Sequence, residues 1–126
     1  MKRDMELCRK ILFAIEEEYE DVAIYNLGID GYTMKQVAYH CKVLHDGGYI
    51  SDYNAQYGDN EIYLFAVGSL TWEGHDFLDK IREDTVWSKT KDTIKNKGLP
   101  MVLDVIKDVA SSIIASMTTA AIGGMM

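Results

Sequence analysis

Proline and cysteine are scarce in this chain, and acidic side chains outnumber cationic ones. One proline and ten glycines among 126 residues leave no room for a long disordered linker. The chain has thirteen lysines and arginines and twenty acidic residues, and its net charge of −7 weakens long-range attraction to nucleic acid. With 48% apolar residues the chain can bury a core, so we expect a globular, cytoplasmic protein.

Motifs that carry catalysis are also missing. The sequence has no glycine-rich phosphate loop, no Gly-x-Ser-x-Gly and no His-Glu-x-x-His pattern. Cys8 and Cys41 lie in helical apolar patterns without paired histidines, so we interpret them as buried free thiols and expect no zinc site. A disulfide bridge between them stays open. We predict that the protein is not an enzyme and holds neither cofactor nor metal.

The histidines support the same interpretation. His75 and Asp79 are four residues apart and could share a helix face, but a metal site needs three or four converging ligands. We therefore interpret His75 as a hydrogen-bonded imidazole near a helix start. His40 is expected to bridge its own helix to the sheet or to an interface.

Hydrophobic spacing and turn residues predict an alternation of helices and short strands. The predicted elements are a helix at 3–18, a strand at 22–29, a helix at 33–46, strands at 49–56 and 62–67, a helix capped by Thr71, a short helix ending at Gly98, and a last helix starting at Pro100. Residues 58–60 form the expected hairpin turn. Gly74 interrupts an apolar stripe, which predicts that another backbone approaches it closely.

This order of elements predicts an α+β fold with a winged-helix-like core. The core would span residues 1–84, and residues 85–126 would form a C-terminal helical extension that closes the core or makes an oligomer. A standard winged helix has two helices between its first strand and its wing hairpin, whereas this chain has room for one. The plan is therefore shortened or rearranged.

Several local patterns resemble a known family. They are the opening Met-Lys-Arg-Asp-Met, Tyr39-His40 followed by Leu44 and Gly48-Tyr49-Ile50, and the stretch LTWEGHDFLDKIRED with Trp87 and Lys91. Together they resemble an uncharacterised family of bacterial and phage proteins, known as a domain of unknown function. The resemblance covers nearly the whole chain and is most specific between Leu70 and Lys91. It implies no activity, ligand or catalytic residue.

A wider similarity concerns Leu70, Thr71 and Gly74. MarR-type and PadR-type regulators carry a similar Leu-Thr-x-x-Gly turn just after the wing, and their next helix belongs to a dimer interface. The resemblance implies a homodimer. We predict its interface from the apolar stripes of the later helices, namely Phe77, Ile81, Val102, Ile106, Val109 and Ile113.

The outward face of the helix at 33–46 is the candidate contact surface. Its expected contact residues, with two tyrosines of the first hairpin strand, are Lys35, Gln36, Tyr39, Lys42, Tyr53 and Tyr57. Lysine meets phosphates and glutamine reads adenine, so DNA is one possible ligand. The hairpin, however, carries Asp52, Asp59 and Glu61 and no lysine or arginine. Tyrosine is favoured at protein interfaces, so we favour an unknown protein partner.

Residues 109–126 form an uncharged C-terminal segment. A membrane span needs about 20 strongly apolar residues, and this run is shorter and has a glycine-rich end. Membrane attachment through this segment is a third possibility, which we disfavour. The leading hypothesis is a non-catalytic regulatory or adaptor protein of bacterial or phage origin that acts through protein–protein interaction, and a winged-helix transcriptional regulator is the first alternative.

Overall fold

A computed structural model describes the backbone of residues 1–125 and the side chains of residues 1–119. The elements are α1 (Met5–Glu18), β1 (Ile24–Tyr25), α2 (Met34–Asp46), β2 (Tyr53–Gly58), β3 (Glu61–Val67), α3 (Trp72–Ile81), α4 (Asp84–Asn96) and α5 (Leu103–Met125). The α+β class and the helix–strand–helix–hairpin order are as predicted. The chain divides into two compact units, Met1–Asp76 and Phe77–Met126, which are described separately. The predicted domain boundary after residue 84 stays a prediction.

The first unit contains a three-stranded antiparallel sheet in the order β1-β3-β2. β1 is shorter than the predicted strand at 22–29, because Asn26 adopts a φ of 51°. Asn26 still continues the ladder: its N–H donates to the Phe65 carbonyl at 2.8 Å, and its Oδ1 accepts from the Phe65 N–H at 2.9 Å. The side chain thus replaces a backbone partner and ends the strand.

The hairpin turn lies at the predicted place. Asp59 and Asn60 have φ angles of 53° and 66°, the pair of left-handed residues that a type I′ turn requires. β2 begins at Tyr53, later than predicted, because the preceding residues pair with the segment after β3 instead. Ile50 forms an isolated bridge with Leu70, and the Ser51 N–H donates to the Ser69 carbonyl at 2.8 Å.

One irregularity in the hairpin decides which side chains share a face. Gln56 pairs with Leu64, but Tyr57 pairs with Ile62, so Tyr63 is an extra residue in β3. Cross-strand partners point to the same side of a sheet. Ile62 therefore joins Tyr57 on one face, and Tyr63 lies on the other, where its hydroxyl donates to Gln56 Oε1 at 2.9 Å.

α2 begins with a complete capping box. The Thr33 hydroxyl accepts from the Gln36 N–H at 3.2 Å, and Gln36 Oε1 accepts from the Thr33 N–H at 2.9 Å. The core face of α2 is buried at Val37, Ala38, Cys41 and Leu44. Helical spacing would predict Met34 on the same face, but Met34 lies in the exposed first turn and is 39% accessible.

His40 joins α2 to the beginning of α1. Its Nε2 accepts from the Asp4 N–H at 2.8 Å, so the ring proton is on Nδ1, which donates to the Gln36 carbonyl at 2.7 Å. Asp4 is itself the N-cap of α1 and accepts from the Tyr32 hydroxyl at 3.3 Å. The histidine is buried and bridges two helices, whereas a bridge to the sheet or to an interface was predicted.

The Leu-Thr-x-x-Gly turn fixes the start of α3 against the loop after α2. The Thr71 hydroxyl donates to the Gly48 carbonyl at 2.6 Å and accepts from the Gly74 N–H at 3.0 Å. A Cβ on Gly74 would lie 2.2 Å from the Tyr49 carbonyl oxygen. The predicted close approach of another backbone to Gly74 is confirmed, and only glycine fits there.

The second unit contains the packed pair α4 and α5. α4 buries Val86, Trp87, Thr90 and Ile94, which recur at helical spacing and form one stripe. α5 begins at Leu103 and not at Pro100, because the Val102 carbonyl accepts its first helical bond, from the Ile106 N–H at 2.9 Å.

The predicted C-terminal segment at 109–126 is only partly described. α5 continues through it to Met125, and Met126 and the side chains beyond Thr119 lie outside the described residues. No helix in the described part of the chain combines the length and the apolarity needed to cross a membrane.

Candidate functional site

A groove lies between α2 and the β2–β3 hairpin, within the first unit. Its volume is about 140 Å³, and it is lined by Met1, Lys35, Ala38, Tyr39, Lys42, Tyr53, Tyr57, Asn60, Glu61 and Ile62. The structure thus brings together every predicted contact residue except Gln36, whose side chain closes the α2 capping box. The groove is the candidate functional site.

The α2 wall follows from helix periodicity. Lys35, Tyr39 and Lys42 stand at i, i+4 and i+7, so they form one stripe beside the hairpin. Both lysines are exposed, and Lys42 Nζ lies 3.2 Å from Asp46 Oδ2. The Tyr39 ring meets the buried His40 ring edge-on, with centroids 5.5 Å apart and planes at 82°. Because His40 is fixed by two hydrogen bonds, it gives Tyr39 a rigid support.

The hairpin wall is aromatic. Tyr53 packs on Phe65, with ring centroids 6.4 Å apart. Burial of the Tyr53 hydroxyl, and next its interaction with the adjacent Tyr57, raise the pKa of Tyr53 to about 12. Tyr53 is therefore a neutral phenol at physiological pH. Tyr57 continues the same face and is 63% exposed. The extra residue in β3 adds Ile62 to this wall in place of Tyr63.

The rim of the groove has charges of opposite sign on its two walls. Lys35 and Lys42 stand on the α2 side, and Glu61 stands near the hairpin turn. The groove can therefore hold an apolar or aromatic group between its walls and a carboxylate near α2. Among the side chains that the structure describes, no three histidine, cysteine or acidic residues gather as metal ligands.

Tyr49 does not belong to the hairpin wall. It alternates with Tyr53 and Tyr57 in the sequence, so one continuous strand would place all three on the same face, but Tyr49 precedes β2 and is buried. Asp79 forms an ion pair with Arg82 at 2.8 Å, and His75 is exposed.

A second cavity, of about 200 Å³, lies elsewhere in the first unit. It is lined by Ile15, Glu16, Tyr19, Asp21, Ser69, Leu70 and His75. No sequence pattern indicated this cavity, because its walls come from the end of α1 and the start of α3, which are distant along the chain.

The residues predicted to form an oligomer interface fall into two groups. Phe77, Ile81 and Ile106 are fully buried in the single chain, so they present almost no surface to a second copy. The remaining residues are half-buried: Val102, Val109 and Ile113. The homodimer stays a prediction, and only this second group can contribute contact area to it.

Both buried cysteines are free thiols, which closes the alternative of a bridge. Cys8 belongs to α1 and Cys41 to α2. Burial raises the pKa of each thiol to about 12. Both are therefore protonated and unreactive near neutral pH.

The fold and the groove define an α+β protein with a short helix–hairpin core. Residues 2–100 match the family described as "Hypothetical protein (DUF2513)", and the chain belongs to this family. It is similar to an uncharacterized protein of Haemophilus influenzae, 44% identical over 120 residues that cover 93% of this chain and 98% of the relative. No solved structure matches the chain.

Proposed function

We propose that this protein is a non-catalytic regulatory or adaptor module that binds another protein through the groove between α2 and the hairpin. The observation that carries the proposal is Tyr57, a tyrosine 63% exposed in a groove where Tyr53, on the same wall, and Tyr39, on the opposite wall, are half-buried. A large aromatic side chain beside supported aromatic neighbours is typical of the anchor points in protein interfaces.

Charge favours a protein over a nucleic acid as the partner. The hairpin turn carries Asp59 and Glu61, and no residue from Tyr49 to Val67 is basic. A hairpin that enters a minor groove would place these carboxylates near phosphates, which is unfavourable. Tyrosines, in contrast, pack well against apolar parts of a protein surface.

The test compares three immobilised proteins in lysates of a bacterial host, with and without nuclease treatment. They are the wild type, the groove variant Tyr57→Ala, and Tyr25→Ala, a control that is 62% exposed on β1. We expect a protein retained by the wild type and Tyr25→Ala and lost with Tyr57→Ala, whatever the nuclease treatment. Retention that survives Tyr57→Ala would contradict the groove as the binding site.

A winged-helix DNA-binding regulator is the second candidate. It is favoured by the sheet order β1-β3-β2 with α2 directly before the hairpin, which is compatible with the arrangement of a winged helix. Lys35 and Lys42 would then meet phosphates. Selection from random DNA duplexes tests this: enrichment that disappears in the Lys35→Glu/Lys42→Glu double variant supports it, and no enrichment contradicts it.

We further propose that the protein forms a homodimer through the exposed sides of Val102, Val109 and Ile113. Val109 and Ile113 are half-buried apolar residues on one stripe of α5, and Val102 is a half-buried apolar residue directly before this helix; both observations support the proposal. Light scattering at micromolar concentration should give twice the chain mass of 14.3 kDa. A monomer mass would contradict it.

A further inference from the structure

The two edges of the sheet differ in how they are protected. β1 has two residues and ends at Asn26, whose side chain fills the next position of the ladder. β2 is the other edge and runs for six residues, Tyr-Asn-Ala-Gln-Tyr-Gly. Proline, charge or a very short strand usually blunts an exposed edge, and β2 has none of these. Its outer backbone is therefore open to another strand.

Nothing in the described part of the chain occupies that edge. Among the backbone hydrogen bonds outside the regular helices and strands, none involves Tyr53–Gly58, whereas Ser51 and Asp52 bond to the segment after β3. Asn54, Gln56 and Gly58 are all exposed. An edge with unpaired N–H and C=O groups recognises one kind of ligand, an extended peptide backbone.

The groove lies beside this edge. Tyr53 and Tyr57 belong to β2 and face α2, which presents Lys35, Tyr39 and Lys42 along one stripe. A helix that faces an edge strand across an aromatic gap suits a peptide added to the sheet, because alternate side chains of the added strand would point into the gap. The backbone would supply affinity, and the groove would select the side chains.

The charges around the groove indicate which side chains the peptide would carry. No ion pair of Lys35 is found in the part of the chain that the structure describes, and Lys42 has only an exposed pair with Asp46. These two lysines are a local exception on a chain of net charge −7. Glu61 is at the opposite rim, so an acidic ligand side chain is attracted to α2 and repelled by the turn.

We propose that β2 and α2 together bind an extended segment of a partner protein as an added β-strand, with an apolar side chain between the tyrosines and an acidic side chain at Lys35 and Lys42. This proposal rests on the proposed function and adds the conformation and the chemistry of the partner segment. Both belong to the same groove, but they are tested separately below.

The first measurement selects ligands from a phage-displayed library of random twelve-residue peptides on the full-length protein. We expect enriched peptides in which apolar and acidic residues recur at fixed spacing. Tyr57→Ala and Lys35→Glu/Lys42→Glu should each weaken binding about tenfold or more. Tyr25→Ala and Lys97→Glu, at exposed positions that do not line the groove, should change binding less than about twofold.

The second measurement takes the tightest peptide and methylates its backbone nitrogens one at a time. In an added strand only every second N–H points at the neighbouring strand. Methylation should therefore weaken binding about tenfold at alternate positions and leave the positions between them little changed. A helical or irregular bound peptide would not give this two-residue period.

The outcomes separate the inference from the proposed function. Peptides that need Tyr57 but show no two-residue period would overturn the added strand and leave the groove as a protein-binding site. Peptides with the period but without acidic residues would overturn the role of the lysines. If no peptide is enriched, or if cross-linking at β2 shows that two copies of the chain pair through this strand, the added-strand inference fails. The proposed protein partner fails only if the lysate experiment retains no protein that depends on Tyr57.

Discussion

The two sides of α2 differ in how many of their side chains are buried or hydrogen-bonded within the chain. On the side facing α1, His40 has both ring nitrogens bonded, and Cys41 is buried. On the side facing the hairpin, Lys35 and Tyr57 are exposed around a groove. One side of the helix therefore contributes to the core, while the other lines the candidate groove. Substitutions on the first side should change stability, and those on the second should change binding.

The largest effect on the folding side is expected at the junction of α3 with the loop after α2. Gly74→Ala would place a Cβ 2.2 Å from the Tyr49 carbonyl oxygen, so the backbone must shift. We expect a loss of about 3 kcal/mol in the free energy of unfolding. Urea denaturation measures it. Gly28→Ala is the matched control, because a Cβ there meets nothing within 4 Å, and it should be neutral or slightly stabilising.

A smaller loss is expected from removing the buried imidazole. His40→Leu would leave the Asp4 N–H without its acceptor and remove the side-chain bond to the Gln36 carbonyl, which together cost about 2 kcal/mol. His40→Gln, whose side-chain oxygen can still accept from the Asp4 N–H, should recover part of the lost stability. His45→Ala, at a partly exposed position of the same helix, serves as control and should change stability by less than about 0.5 kcal/mol. Equal losses in both histidine variants would contradict the role assigned to His40.

The buried thiols of Cys8 and Cys41 make the stability of the α1–α2 side depend on pH. Burial raises the pKa of Cys8 and Cys41 from 9.0 to about 12, so the folded state holds these protons more tightly than the unfolded state. Their contribution to stability is complete below pH 9 and is lost as pH rises toward 12. The thermal midpoint should therefore fall from pH 8.5 to 10.5 less steeply in a Cys8→Ala/Cys41→Ala variant than in the wild type. Identical slopes would contradict this assignment.

The smallest effect is expected on the binding side. Asn60 holds a φ of 66° in the hairpin turn, where glycine is free of strain. Asn60→Gly should therefore stabilise the protein by about 0.5 kcal/mol. Urea midpoints measure it. Asn54→Gly, inside β2, should instead destabilise, because glycine weakens a strand.

Much of this arrangement could be predicted from local sequence. The Thr33 cap, the turn at Asp59 and Asn60, and the close approach at Gly74 each depend on the conformational preference of one or two residues. The stripe of Lys35, Tyr39 and Lys42 followed from helix periodicity alone.

The remaining features could not be predicted, because they depend on partners distant in the chain. The length of β1 is decided by a bond between Asn26 and Phe65, and the role of His40 by the position of Asp4. The register shift that places Ile62 in the groove results from the pairing of two strands, which a period-two pattern in one strand does not show.

The Gly74 contact also has a consequence for the rate and order of folding. It joins the start of α3 to Tyr49, and the chain between them contains the whole β2–β3 hairpin. The two contacting residues are only moderately far apart along the chain, so the entropic cost of closing the loop between them is modest. We expect the hairpin and this closure to form early, with α1 docking later, so Gly74→Ala should slow refolding more than it accelerates unfolding.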